Sequence, residues 1–121
     1  VKAAKAIMKM GPKFLIIKKG EHGALLFHEN HVFFAPALPL EEVFDPTGAG
    51  DTFAGGFIGY LAKTNDISFD NMKTAIIVGS ALASFCVEKF GPIRLKEITK
   101  EDIDTRLAEF VQLVNFDIDL V

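Results

Sequence analysis

The chain has 121 residues, the length of one domain or of part of one. Half of them are hydrophobic, which permits a sizeable core and excludes disorder as the main state, and 13 basic against 16 acidic residues give a net charge of −3, so no electrostatic ground exists for binding nucleic acid or an anionic membrane. The single cysteine, Cys86, excludes an internal disulfide framework and a cysteine zinc site, and it fits a reducing, cytoplasmic compartment.

From Lys2 to Met10, the residues Ala3, Ala6, Ile7 and Met10 fall at helical spacing, and Gly11-Pro12 stops the helix. Opening at Val1 with a helix under way is expected of a chain whose natural start lies upstream. No charged-then-apolar leader and no bilayer-length apolar run is present, so neither a signal peptide nor a membrane span is expected. Phe14-Leu15-Ile16-Ile17 reads as a strand buried on both faces. A turn at Gly20 to Gly23, a strand from Ala24 to Phe27, a turn at Glu29-Asn30 and a strand at Val32 to Phe34 predict two hairpins in a mixed sheet. His22, His28 and His31 cluster here without the spacing of a zinc helix.

After Pro36 and Pro39, a short strand is predicted at Val43-Phe44, then a glycine-rich turn from Asp45 to Asp51. Phe53, Phe57 and Leu61, with Ile58 beside them, predict a helix to about Lys63. Ser68 can cap the next helix, whose face carries Ile76, Gly79, Ala83 and Val87 and which ends near Phe90-Gly91-Pro92. Thr99-Lys100-Glu101-Asp102 reads as a capping box with Asp in place of Glu, opening an amphipathic last helix with Ile103, Leu107, Phe110, Val111 and Val114. Helix, strands and helices in this order indicate an α/β domain.

The informative stretch is Asp45-Pro46-Thr47-Gly48-Ala49-Gly50-Asp51-Thr52-Phe53-Ala54-Gly55-Gly56-Phe57. It joins a strand end, a tight turn and a helix start. Small residues at Gly48, Ala49 and Gly50 let backbone N–H groups converge, and the helix adds its unpaired N–H groups and the positive end of its dipole. The result is an anion site suited to phosphate. It is not a Walker A loop, because no Lys-Ser/Thr follows, and it lacks the dinucleotide spacing. An acid at Asp51 would repel a phosphate that was merely bound. It makes sense as a base that takes a proton from a hydroxyl attacking phosphorus. The competing reading is a plain helix cap. Gly55 and Gly56 read as close helix-to-sheet packing. Lys18 and Lys19 can meet phosphate, but paired lysines at a strand end are more often solvated. Cys86 reads as a core residue, and Phe33-Phe34 as packing.

The run from Asp45 to Phe57 resembles the C-terminal signature of the ribokinase-like (PfkB) carbohydrate kinases, D-T-x-G-A-G-D followed by a small-residue helix, with Pro46 where Thr is common. The surrounding order is similar: K-x-G-x-x-G from Lys18 to Gly23 before it, and a small-residue helix ending in Gly91 after it. The resemblance takes in essentially all 121 residues as the C-terminal part of a much longer three-layer α/β/α domain. It implies ATP-dependent phosphoryl transfer to a hydroxyl of a sugar or sugar-like small molecule, with ATP and Mg²⁺ as cofactors. Asp51 then matches the catalytic base, and Gly48, Ala49 and Gly50 match the anion hole. Gly20 and Gly23 match the loop against the nucleotide, and Ser80 a position bordering the adenine. Asp45 and Thr47, with carbonyls near Gly91, match the monovalent-cation (K⁺) site of many members. Sugar, nucleoside and vitamin kinases share the turn. The family's sugar-binding residues and lid lie mostly upstream, so the 121 residues alone are expected to be inactive, to expose apolar surface and to self-associate as a homo-oligomer. The alternative is a nucleotide- or phosphate-binding module without catalysis.

Overall fold

The computed structural model describes residues 1–39, 47–88, 93–115 and 117. The expectations at Val43-Phe44, Asp45, Phe90 to Pro92 and in most of the C-terminal tail lie outside these residues. The elements run α1 (Lys2–Met8), β1 (Leu15–Lys18), a 3₁₀ turn (Gly20–His22), β2 (Ala24–His28), β3 (His31–Ala35), α2 (Ala49–Thr64), α3 (Phe69–Cys86), α4 (Ile93–Glu97) and α5 (Lys100–Val114).

The three strands form one sheet in the order β1-β2-β3, antiparallel throughout, with Ile16 opposite Leu26 and Leu26 opposite Phe33. The expected mixed sheet is thus corrected for the described residues. Both connections are tight turns, and tight turns join antiparallel neighbours. β1 is only partly buried, not buried on both faces, because it pairs on one side alone among the described strands. Alternation along the strands directs Ile16, Leu26, Phe33 and Ala35 to one face, where Phe53 of α2 and Met72 and Ile76 of α3 complete the core. On the opposite face Val32 and Phe34 stay exposed. Of the expected Phe pair, only Phe33 packs against the core. α1 meets β1, and its buried residue is Ala4; Ile7 and Met10 of the predicted stripe are exposed.

α2 and α3 form a helical hairpin across residues 65–68. Asn65 closes α2 in the left-handed conformation (φ 49°), Ser68 caps α3 by accepting from Asn71 N, and the Asn71 side chain donates back to Thr64 Oγ1 (2.7 Å). The two helices cross closely because both are bare at the contact. A Cβ on Gly56 would lie 3.0 Å from Gly79 Cα, and one on Gly79 would lie 2.7 Å from the Phe53 carbonyl oxygen. Gly56 therefore serves helix-to-helix packing, not the expected helix-to-sheet packing, and Gly55 faces open space. The face of α2 turned to α3 leaves Ile58 60 % exposed, against its expected place beside the apolar stripe. α3 ends at Cys86, before the predicted stop, and α4 is a short helix that the sequence reading does not anticipate.

Candidate nucleotide-phosphate site

Two backbone devices and one helix wall build the site. The first device is the turn between β1 and β2. Gly20 (φ 57°) and Gly23 (φ 91°) adopt conformations that favour glycine, and Lys19 and Gly23 close the turn through Lys19 N to Gly23 O (2.7 Å). A Cβ on Gly23 would collide with the Ala35 carbonyl oxygen, so this position has no room for a side chain.

The second device is the start of α2. Gly48 takes the left-handed conformation (φ 82°) as N-cap and supplies no side-chain cap. The first intrahelical bond runs from Thr52 N to Gly48 O (3.0 Å), and the Thr52 hydroxyl donates to the same oxygen (2.9 Å). The N–H groups of Gly48, Ala49 and Gly50 lie ahead of that bond, at the positive end of the helix. Asp51 follows on the same first turn. Its carboxylate is exposed and makes no hydrogen bond or ion pair among the described residues. It does not cap the helix.

Lys18 reaches this turn from the end of β1. Its Nζ donates to Gly50 O (3.2 Å) and lies 5.3 Å from the centre of the Phe53 ring. The sequence favours a solvated Lys18; the side chain is exposed, yet it is turned onto the glycine loop before α2. A Cβ on Gly50 would lie 2.8 Å from Lys18 Nζ, the mobile end of that side chain. Lys19 has no such contact.

The wall is the C-terminal half of α3. Ser80, Ala83, Ser84 and Val87 face an open cleft of about 900 Å³ whose other sides are Lys18 to Ala24, Ala37 to Pro39, Ala49, Gly50, Phe53 and Phe110. One cleft thus brings together Gly20, Gly23, Ser80, Ala49 and Gly50 from the predicted set. Gly48 and Asp51 adjoin it along the chain without lining it. The Ser80 hydroxyl has no partner among the described residues, whereas Ser84 Oγ donates to Ala81 O (2.6 Å) and accepts from Arg106 (2.7 Å). Cys86 is buried as expected. It also lies beneath the loop, with Sγ donating to Thr47 O (3.7 Å) and 3.8 Å from where a Gly48 Cβ would be. Of the predicted cation site, Thr47 is described; Asp45 and Gly91 are not. Ser84 could have been found as the i+4 neighbour of Ser80. Phe110 carried only the signal of a core residue, and Arg106 carried none.

A glycine N-cap with no side chain in front of it, a lysine turned onto the loop and a helix wall beside a glycine turn thus surround one cleft on an α/β scaffold. The model of the pfkB family of carbohydrate kinases matches residues 1–99, and the chain belongs to that family. It is similar to cytidine kinase of Thermococcus kodakarensis, with 48% identity over 61 residues, covering 48% of this chain and 22% of that protein. Among solved structures it is similar to ribokinase from Thermotoga maritima (30% identity, TM-score 0.73, 88% of this chain and 34% of that one). It is also similar to aminoimidazole riboside kinase from Salmonella enterica in complex with aminoimidazole riboside and an ATP analogue (30% identity, TM-score 0.76, 88% and 35%). The fold is therefore ribokinase-like. The chain spans about a quarter of the curated relatives it matches and about a third of the solved chains. No helix among the described residues is long and apolar enough to cross a membrane.

Proposed function

We propose that these residues form the ATP-binding and phosphoryl-transfer part of a kinase that phosphorylates a hydroxyl of a sugar or a nucleoside. The observation that carries this reading is the single cleft joining the β1–β2 glycine turn and Ser80 to the first turn of α2, with Lys18 at that turn. The phosphates lie against the N–H groups of Gly48, Ala49 and Gly50, and the Lys18 ammonium neutralises charge from the other side. The base lies against the α3 wall, with the free Ser80 hydroxyl beside it. Asp51 takes the proton of the acceptor hydroxyl as its oxygen bonds to the γ-phosphorus and ADP departs. An exposed, unpartnered carboxylate next to an anion-binding turn supports that role over a cap.

Among the described residues, no three His, Cys, Asp or Glu side chains converge as a metal site. Magnesium fits as an ion carried on the nucleotide phosphates, with Asp51 the acidic side chain on the first turn of α2. Bound there, it supplies charge neutralisation. The monovalent-cation site at Asp45, Thr47 and Gly91, filled by K⁺, belongs to the same reading. The 121 residues alone bind nucleotide without turnover, because in-line transfer needs the acceptor held in place and positioning is a large part of the catalysis.

The test is titration of the chain with MgATP, alongside a coupled assay with ribose, fructose and cytidine. Saturable binding that Lys18→Met weakens by about tenfold, with no product formed, is the expected outcome. Absence of MgATP binding, or robust product formation by the 121 residues alone, would count against it.

A further inference from the structure

Five consecutive residues, Ser84 to Glu88, at and just past the end of α3 face three parts of the molecule. Ser84 and Val87 line the cleft. Cys86 supports the loop at Thr47 and Gly48. Phe85 is buried against two guanidinium groups, Arg106 at 4.0 Å and Arg94 at 5.2 Å from its ring centre. Glu88 accepts from both arginines: Arg106 Nη2 at 2.6 Å and Arg94 Nε at 3.3 Å. Arg106 makes the remaining link, donating from Nη1 to Ser84 Oγ (2.7 Å), with Glu109 3.7 Å from its Nε. Its side chain is 13% exposed.

We propose that Arg106, on α5, is a positioning residue of the nucleotide site. The inference rests on the reading of the cleft given above. One planar guanidinium holds Ser84, in the last turn of α3, and Glu88, just past its end, together, while its face covers the Phe85 ring between them. That fixes the orientation of the last turn of α3. Val87 then stays in the cleft wall, and Cys86 stays beneath Gly48. The same contact decides which serine can read the nucleotide. The Ser84 hydroxyl donates its hydrogen bond to Ala81 O and accepts from Arg106 on a lone pair, so it contributes shape. Ser80, one turn earlier on the same face, keeps a hydroxyl for recognition. Without Arg106, Ser84 can turn into the cleft, and the wall loses its register with the loop.

Arg106→Lys separates positioning from bulk stability. A lysine can pair with Glu88 but cannot hold Ser84 and Glu88 at once or cover the ring as a plane does. The whole 121-residue chain is compared as wild type, Arg106→Lys and Arg106→Met by thermal midpoint, MgATP titration and the alkylation rate of Cys86 far below the midpoint. Arg106→Lys is expected to melt within a few degrees of wild type, yet to bind MgATP about tenfold more weakly and to alkylate at Cys86 about tenfold faster. Bound MgATP should slow alkylation in the wild type. Unchanged MgATP affinity and Cys86 reactivity in Arg106→Lys overturn the proposal. So does a rise in reactivity that merely follows the loss of melting temperature across both variants. If the wild type fails to bind MgATP, the nucleotide reading fails separately, and Cys86 alkylation in Arg106→Lys alone still decides whether Arg106 positions the turn.

Discussion

Helices α2 and α5 both carry an aspartate at the third helical position, and the two aspartates are used in opposite ways. At α5, Asp102 accepts from the Thr99 backbone N–H (2.9 Å) while Thr99 Oγ1 accepts from Asp102 N (3.2 Å), so acid and N-cap satisfy each other. At α2 the N-cap is Gly48, which has no side chain to complete such a box, and the Asp51 carboxylate has no partner among the described residues. The α5 start is closed to ligands. The α2 start leaves its N–H groups and its acid available, and its stability comes from packing against α3 behind it. The same residue at the same helical position thus closes a reciprocal cap where a hydroxyl precedes it and is left unpaired among the described residues where glycine does.

Asparagine at both positions is the sharpest way to break this comparison. In an enzyme that joins this chain to an acceptor-binding part, Asp51→Asn should lower kcat by about 10²–10⁴-fold, the range for loss of a general base. Nucleotide affinity should hold or rise, since a negative charge near the phosphates is gone. Asp102→Asn should leave kcat unchanged. Near-normal turnover in Asp51→Asn would reduce Asp51 to a second helix-start residue like Asp102.

If α2 depends on its packing, adjacent glycines should respond with opposite signs. Gly56→Ala puts a methyl 2.8 Å from Leu82 Cδ1 and 3.0 Å from Gly79 Cα, and should cost about 1–3 kcal/mol by overpacking. Gly55→Ala meets nothing within 4 Å and should gain about 0.5–1 kcal/mol from the lower backbone entropy of its unfolded state. Urea unfolding of the two variants reads the difference; equal effects would show that the Gly56–Gly79 approach does not set the helix crossing.

These contrasts also mark what the sequence made legible. The box at Thr99 to Asp102 and the cap at Ser68 were readable because each closes within three residues. The turn into α2 was readable because Gly48 can take the left-handed N-cap conformation that the small-residue run requires. Strand direction and the exposed side of Ile58 were not, since sheet pairing and the glycine crossing with α3 set them. Lys18 was weighed as solvated because its partner, Gly50, lies 32 residues away. The hold of Arg106 on α3 left no local trace: its contacts to Glu88 and Ser84 span 18 and 22 residues.

The smallest effect expected is the pH dependence of the α5 box. The Thr99 backbone N–H, then the Thr99 side chain, hold Asp102 below its usual carboxylate range, with Arg94 and Arg106 adding to the same direction. A lowered pKa means that the folded chain binds fewer protons here than the unfolded chain once the pH approaches the ordinary value of 3.8. The stabilisation is therefore present above that value and is lost as the pH falls through the folded pKa. Other carboxylates also protonate in acid, but they do so equally in wild type and in Asp102→Asn, so the difference between the two isolates this group. That difference in thermal midpoint should be constant from about pH 7 to pH 5 and then shrink toward acid. A difference that stays the same down to about pH 2.5 would mean that Asp102 is held by packing, and that its contrast with Asp51 does not lie in the charge.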